Sequence, residues 1–309
     1  MRPPRGGARE PIGGLFVALA AVQFGGVVVL GKIVGERGLP VPSMLAVRFA
    51  VAAAILAVVL AAARQPLRPA GGEGWRLALL GAVGYAVESA LFFLALARGT
   101  AAAVTLLFFT YPVWVALLSA VVGMGLPGWL VGGSLVAAVA GASLVVGTTG
   151  GLAVTGLGIL FALAAAVTFS FYLIGADAWI RRTSSLASAM WIGATAAAAL
   201  AAFSVASGRG RLPGGAAEWL PVAGMGLLTS GAFFCLFLGL RRLGAVRTSI
   251  VAALEPVSTA LLALAVLGET LPPGVIGGGL LILAGAIAAS LAREAREPEP
   301  PEAATPGGP

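Results

Sequence analysis

Two stretches 144 residues apart carry the same punctuation: TLLFFTYPVWVALLSA at Thr105–Ala120 and SIVAALEPVSTALLAL at Ser249–Leu264. In each, an apolar run is interrupted by Pro-Val, preceded by Tyr111 in one copy and Glu255 in the other. Proline inside a helix removes a backbone hydrogen bond and loosens the carbonyl four residues earlier, here Phe108 and Ala252. Pro112 and Pro256 are therefore expected to break two helices near their middles, the alternative being a pair of packed kinks inherited by duplication. The same offset aligns Trp75 with Trp219, Phe93 with Phe237 and Arg98 with Arg242. Beyond the prolines, Ala140-Gly141-Ala142 recurs as Ala284-Gly285-Ala286, and at the start Gly14, Ala18 and Leu19 face Gly158, Ala162 and Leu163. Alanine matches are cheap in such a composition, but Trp, Arg and Pro at one shared offset are not. The chain is an internal duplication.

What is duplicated follows from composition. Of 309 residues, 59% are hydrophobic and 10% charged, against about a quarter charged in soluble domains. Apolar runs long enough to cross a roughly 30 Å hydrocarbon core fall at 12–34, 41–62, 75–97, 100–123, 126–148, 152–176, 185–207, 217–240, 245–267 and 272–292. The expected fold is an all-α integral membrane protein of ten transmembrane helices. The breaks are polar or turn-forming, as at Gly35–Gly38, Arg64–Gly74, Gly147–Gly151, Arg181-Arg182 and Gly208–Gly215. The expected organisation is a tail at 1–11, one five-helix repeat at 12–150, a second at 151–292, and a disordered tail at 293–309 rich in Pro, Glu and Ala.

Five crossings per copy is an odd number, so the second copy starts on the opposite side of the membrane and the repeats are inverted. Arg and Lys concentrate in alternate loops (Arg2, Arg5, Arg9, Arg64, Arg68, Arg76, Arg181, Arg182, Arg241, Arg242, Arg247, Arg293, Arg296), which places both termini in the cytoplasm. The opposite set holds Lys32, Arg37, Arg98, Arg209 and Arg211. The basic start before an apolar run has the form of a signal peptide, but the first helix takes part in the repeat and belongs to the fold. The net charge of +7 is loop arginine, not a basic face for nucleic acid. Scarce lysine and abundant Ala and Gly point to a GC-rich bacterial genome.

Histidine is absent and Cys235 is the only cysteine, which excludes a Ser-His-Asp triad, a disulfide framework and most metalloenzyme chemistry. No GxxxxGK[ST] loop occurs, so ATP is not the energy source of this chain alone. No catalytic residue, metal or cofactor is expected; a proton gradient is the candidate driving force. The informative residues are charges inside apolar runs: Arg48, Glu88 and Glu255. Each costs roughly 2.5–3.5 kcal/mol at the bilayer centre on insertion scales, so all three are expected to face the protein interior. A carboxylate there either pairs with arginine or takes up a proton, and Arg48 either pairs or forks onto a substrate carboxylate. Gln23, Tyr85, Tyr111, Thr168 and Tyr172 are expected to line the same cavity, with Pro112 and Pro256 as helix breaks beside it. Trp75, Trp129 and Trp219 read as interfacial anchors, and Gly133, Ala137 and Gly141, echoed by Gly277 and Gly285, as a close-packing stripe.

Arg48, Tyr111-Pro112-Val113, Glu255-Pro256-Val257 and Gly268-Glu269 together resemble the drug/metabolite transporter superfamily, EamA-like family, over about 12–292. The resemblance implies a multi-pass transporter of the plasma or inner membrane that exports small metabolites, amino-acid-like or drug-like, by alternating access, as monomer or homodimer. One departure is Met124-Gly125 where the second copy has Gly268-Glu269. The competing readings are a membrane-embedded enzyme acting on a lipid or isoprenoid, and a scaffold or sensor that transports nothing.

Overall fold

The computed structural model describes residues 9–121, 129–147, 154–208, 210–243 and 251–294. The 1–8 segment, Met124-Gly125, the 148–151 break, Arg209, Arg247 and the 295–309 tail lie outside them. The helices are α1 (Arg9–Glu36), α2 (Val41–Ala62), α3 (Gly74–Leu96), α4 (Ala101–Phe108), α5 (Tyr111–Val121) and α6 (Trp129–Gly147). There follow α7 (Gly156–Trp179), α8 (Ser185–Ala206), α9 (Ala216–Leu243), α10 (Leu254–Leu267) and α11 (Pro273–Glu294). No strand occurs among the described residues beyond a single bridge between Gly99 and Val154.

Six helices, α1, α2, α3, α7, α8 and α9, are long and apolar enough to cross a membrane. The other four expected runs appear as shorter apolar helices. Large apolar side chains cover the outside: Val58 is 68% exposed, Leu220 72% and Val205 79%. In water such a surface would aggregate, whereas in lipid it is the solvated one and the helix satisfies every backbone group internally.

The duplication appears as an exchange of partners. The first helix α1 packs on α9, the third of the second repeat, and α3 packs on α7, the first of that repeat. Likewise α1 meets α10 while α4 and α5 meet α7. The second helices of the two repeats, α2 and α8, pair with each other, as do the fifth helices α6 and α11. The pattern is reciprocal, each of these contacts of a first-repeat helix with a second-repeat helix having its counterpart with the roles exchanged. At the α6–α11 crossing the backbones touch: a Cβ on Gly141 would lie 2.5 Å from the Gly278 carbonyl oxygen, and one on Gly278 2.4 Å from that of Gly141. Gly285 lies against Ser134 and Ala137, but Gly133 and Gly277 have open space around them. The stripe read from sequence is therefore off at two positions and missed Gly278.

Both proline helices break outright. Helix α4 ends at Phe108, Phe109 and Thr110 form a turn, and α5 begins at Tyr111. In the second repeat Val251 and Ala252 are helical, Ala253 turns, and α10 restarts at Leu254. At each expected break the helix is interrupted, and each proline sits in the first turn of the segment that follows, where no intrahelical amide bond is needed. The turn in the first repeat is closed by Thr110, whose hydroxyl donates to the Leu107 carbonyl at 2.8 Å.

Two buried carboxylates clasp opposite ends of α3. Before it, Glu73 is 4% exposed and accepts from the Arg181, Arg182 and Thr183 amides, each at 2.9 Å, and from the Thr183 hydroxyl at 2.5 Å. The Thr183 hydroxyl, then the Arg181, Thr183 and Arg182 amides, hold this carboxyl down at about 2, against the opposing effect of desolvation. After it, Gly268 closes α10 in the left-handed conformation at φ 66°. That turn delivers Glu269 to the start of α4, where the Ala101 amide donates to its two oxygens at 2.8 and 2.9 Å. Lys32 lies 3.7 Å from the same carboxylate and donates to the Gly99 carbonyl at 2.6 Å. Both clasps join residues of one repeat to residues of the other.

Candidate functional site

The helix breaks meet at a cavity of about 380 Å³ bounded by α1, α2, α3, the α4–α5 break, α7, α9 and the α10 break. Phe108, Phe109 and Tyr111 reach it from one interruption, Ala252 and Glu255 from the other. In α3 a π-helical segment, Leu80–Tyr85, ends on the cavity wall. Wide turns of this kind recur where a helix must aim side chains at a site, and here Tyr85, Glu88 and Ser89 all line the space.

Arg48 projects from α2 and is 5% exposed. Its Nε donates to Thr229 Oγ1 at 3.0 Å, and its guanidinium carbon lies 4.8 Å from the Phe49 ring centre and 5.5 Å from that of Phe93. Phenylalanine faces stabilise the cation without consuming its N–H groups. The two terminal nitrogens have no hydrogen-bond partner among the described residues, so the fork is held at its stem and free at its tip. Glu88, 6% exposed, accepts one hydrogen bond, from the Ser89 hydroxyl at 2.9 Å. Glu255 is half-buried and accepts none among the described residues. Among those residues the ion pairs are Lys32–Glu269 and Arg211–Glu218, so Arg48 touches neither cavity glutamate. One cation and two carboxylates thus face the same space with acceptors and donors to spare.

The rest of the wall is apolar, with aromatic side chains the largest part of it. All three tyrosines of the chain, Tyr85, Tyr111 and Tyr172, line the cavity. Tyr85 packs on Phe49 at 5.2 Å and on Tyr172 at 5.3 Å; Tyr172 stacks on Phe169 at 5.6 Å, and Phe169 meets Tyr111 edge-on at 4.9 Å. These contacts make one continuous surface from α2 through α3 and α7 to the break, at separations where aromatic pairs attract beyond their buried area. The Ser170 hydroxyl sits 3.1 Å from the Tyr111 carbonyl and ties the restart of α5 to α7.

Of the residues singled out in the sequence, Arg48, Glu88, Glu255, Tyr85, Tyr111 and Tyr172 share this cavity. Gln23 and Thr168 do not line it. Gln23 bonds to the Leu19 carbonyl at 3.1 Å and to Cys235 Sγ at 3.7 Å, knitting α1 to α9, and Thr168 bonds back to Ala164 of its own helix at 2.8 Å. Pro112 and Pro256 stand beside the cavity, starting the half-helices. Unforeseen were Thr229, the phenylalanine faces around Arg48, and both end clasps. Thr229 carried a signal, because it is the repeat counterpart of Tyr85 at the 144-residue offset. Among the described residues no group of three or more His, Cys, Asp or Glu is placed to share a metal ion.

No curated protein matches the chain. A solved structure, described only as the crystal structure of a protein, superposes with a TM-score of 0.65 over 92% of this chain and 98% of its own. It is 23% identical, so the likeness speaks for the fold. The sequence profile of the EamA-like transporter family matches twice, at residues 11–147 and 156–291. Two matches that fall on the two halves of the duplication, and together span most of the chain, place this protein in the EamA-like transporter family.

Proposed function

We propose that the chain is a secondary transporter that carries small organic solutes across the membrane through the Arg48–Glu88–Glu255 cavity, by alternating access between two inverted repeats. The observation that carries this reading is the meeting of both interrupted helices at one chamber whose charged groups have unused hydrogen-bonding capacity. Broken helices at a repeat interface are the usual construction of a solute site in such proteins. The free fork of Arg48 suits a carboxylate, the carboxylates suit a cationic or protonated group, and the aromatic wall suits an apolar or ring-bearing body. A zwitterionic or amphipathic metabolite satisfies all three.

Ten crossings, with both termini cytoplasmic, make the repeats antiparallel, and exchange of their conformations opens the cavity to one side and then the other. Family membership supports export. Proton coupling has a site in Glu88 and Glu255: with both ionised the cavity carries a net negative charge, and one added proton neutralises it. The test is flux in liposomes across a panel of amino acids, sugars and cationic dyes, with and without a pH gradient. Flux of at least one solute that Arg48→Ala abolishes supports the reading. Flux of none, from protein that remains folded, overturns it.

A further inference from the structure

The broken segment between α4 and α5 has two faces, and only one belongs to the cavity. Phe108, Phe109 and Tyr111 face the central space, while Leu107, Thr110 and Trp114 face a second, separate groove of about 470 Å³ between this segment, α6 and α7. Its other walls include Val139 and Ser143 of α6 and Leu163 of α7. Val139 is 58% exposed, and nearby on α6 and α7 Val136 (68%) and Leu160 (60%) also point outward. The groove therefore continues the apolar outer surface of the protein.

Its side-chain donors are all spent. The Trp114 indole donates to Thr110 Oγ1 at 3.3 Å, Thr110 donates to the Leu107 carbonyl at 2.8 Å, and Ser143 donates to the Val139 carbonyl at 2.8 Å. No side chain on the wall has a free donor for an occupant, in contrast to the central cavity. A space of this size left empty would forfeit dispersion contacts along its whole lining, and water would find no side-chain donor there. Leu107, Thr110 and Val113 sit near the middle of the 100–123 apolar run, and Ala138 and Val139 at the middle of α6.

We propose that this groove is a lipid site that takes a phospholipid acyl chain against the outer face of the α4–α5 break. The chain fills the volume, shields Thr110 and Trp114, and forms the bilayer side of a partition one helix thick. The proposal depends on membrane residence and not on solute transport. It is tested with a variant that keeps Trp114 and replaces the other five tryptophans with phenylalanine, reconstituted in phosphatidylcholine with or without mid-chain bromine. Van der Waals contact with a brominated chain lowers Trp114 emission about threefold, and filling the groove with Ala142→Phe, or with Leu163→Phe where that variant fails to fold, restores it. A Val58→Trp reporter on the open surface of a tryptophan-free chain serves as control, since its quenching is the same with and without the filling substitution. Unquenched Trp114, or quenching that the filled groove leaves undiminished, overturns the proposal.

Discussion

Glu73, Glu269, Glu88 and Glu255 are each partly or wholly buried, and they fall into two kinds. Glu73 and Glu269 are wrapped in backbone amides: the first accepts four hydrogen bonds, and the second caps the start of α4 beside Lys32. Glu88 accepts one bond and Glu255 none among the described residues. A buried charge whose oxygens are saturated by fixed amides holds structure together, because any change of state would leave those amides orphaned. A buried charge with oxygens to spare in a cavity is available to a solute or a proton. The same residue type serves as clasp or as reactive group according to how many donors surround it.

The contrast can be broken most sharply at the cavity. Glu255→Gln keeps size and shape but removes the charge, and solute flux in liposomes is expected to fall by at least about tenfold, equivalent to roughly 1.4 kcal/mol, with little change in melting temperature. A Glu88→Gln/Glu255→Gln double variant that retained the full response of flux to a pH gradient would remove these residues from coupling. Arg48→Lys tests the fork: an ammonium cannot bind a carboxylate bidentately, so flux of carboxylate-bearing solutes should drop about tenfold, while solutes lacking a carboxylate lose less.

At the clasps the expected order reverses, with stability lost first. Glu269→Ala strands the leading amides of α4, at a cost of about 1–3 kcal/mol, read as a lower melting temperature in detergent; Glu269→Gln recovers part of it. Glu73 gives the smallest effect and a pH signature. Its carboxyl titrates at about 2 in the fold against 4.5 ordinarily, so its contribution is complete above about pH 4.5 and fades as pH falls toward 2. Glu73→Gln should flatten that acid limb of a melting-temperature profile. An unaltered profile would mean that the 181–183 loop is held by other contacts.

Much of this was legible in the sequence, and the reasons it stopped are physical. Duplication and apolar run length are one-dimensional signals, so the two repeats, the helices and the matched breaks could be read directly. Arg48, Glu88 and Glu255 stood out because charge inside an apolar run is costly wherever it points. Gln23 and Thr168 could not be separated from true lining residues, since each side chain's direction depends on the rotation of its helix and on a neighbour such as Cys235. The end clasps were hidden for a different reason. Glu73 and Glu269 sit in polar loops, where a carboxylate is unremarked by composition and its partners lie more than a hundred residues away.

The glycine contact between α6 and α11 has a mechanical consequence. With backbones touching at Gly141 and Gly278, the fifth helices of the two repeats have no side chains to act as a lubricant at that crossing. They form a stiff double post, closed against sliding and against any residue larger than glycine at the crossing. In the alternating access proposed above, this post is the fixed element, and the movement falls to helices that still have side chains between them, above all the two that are already cut in half.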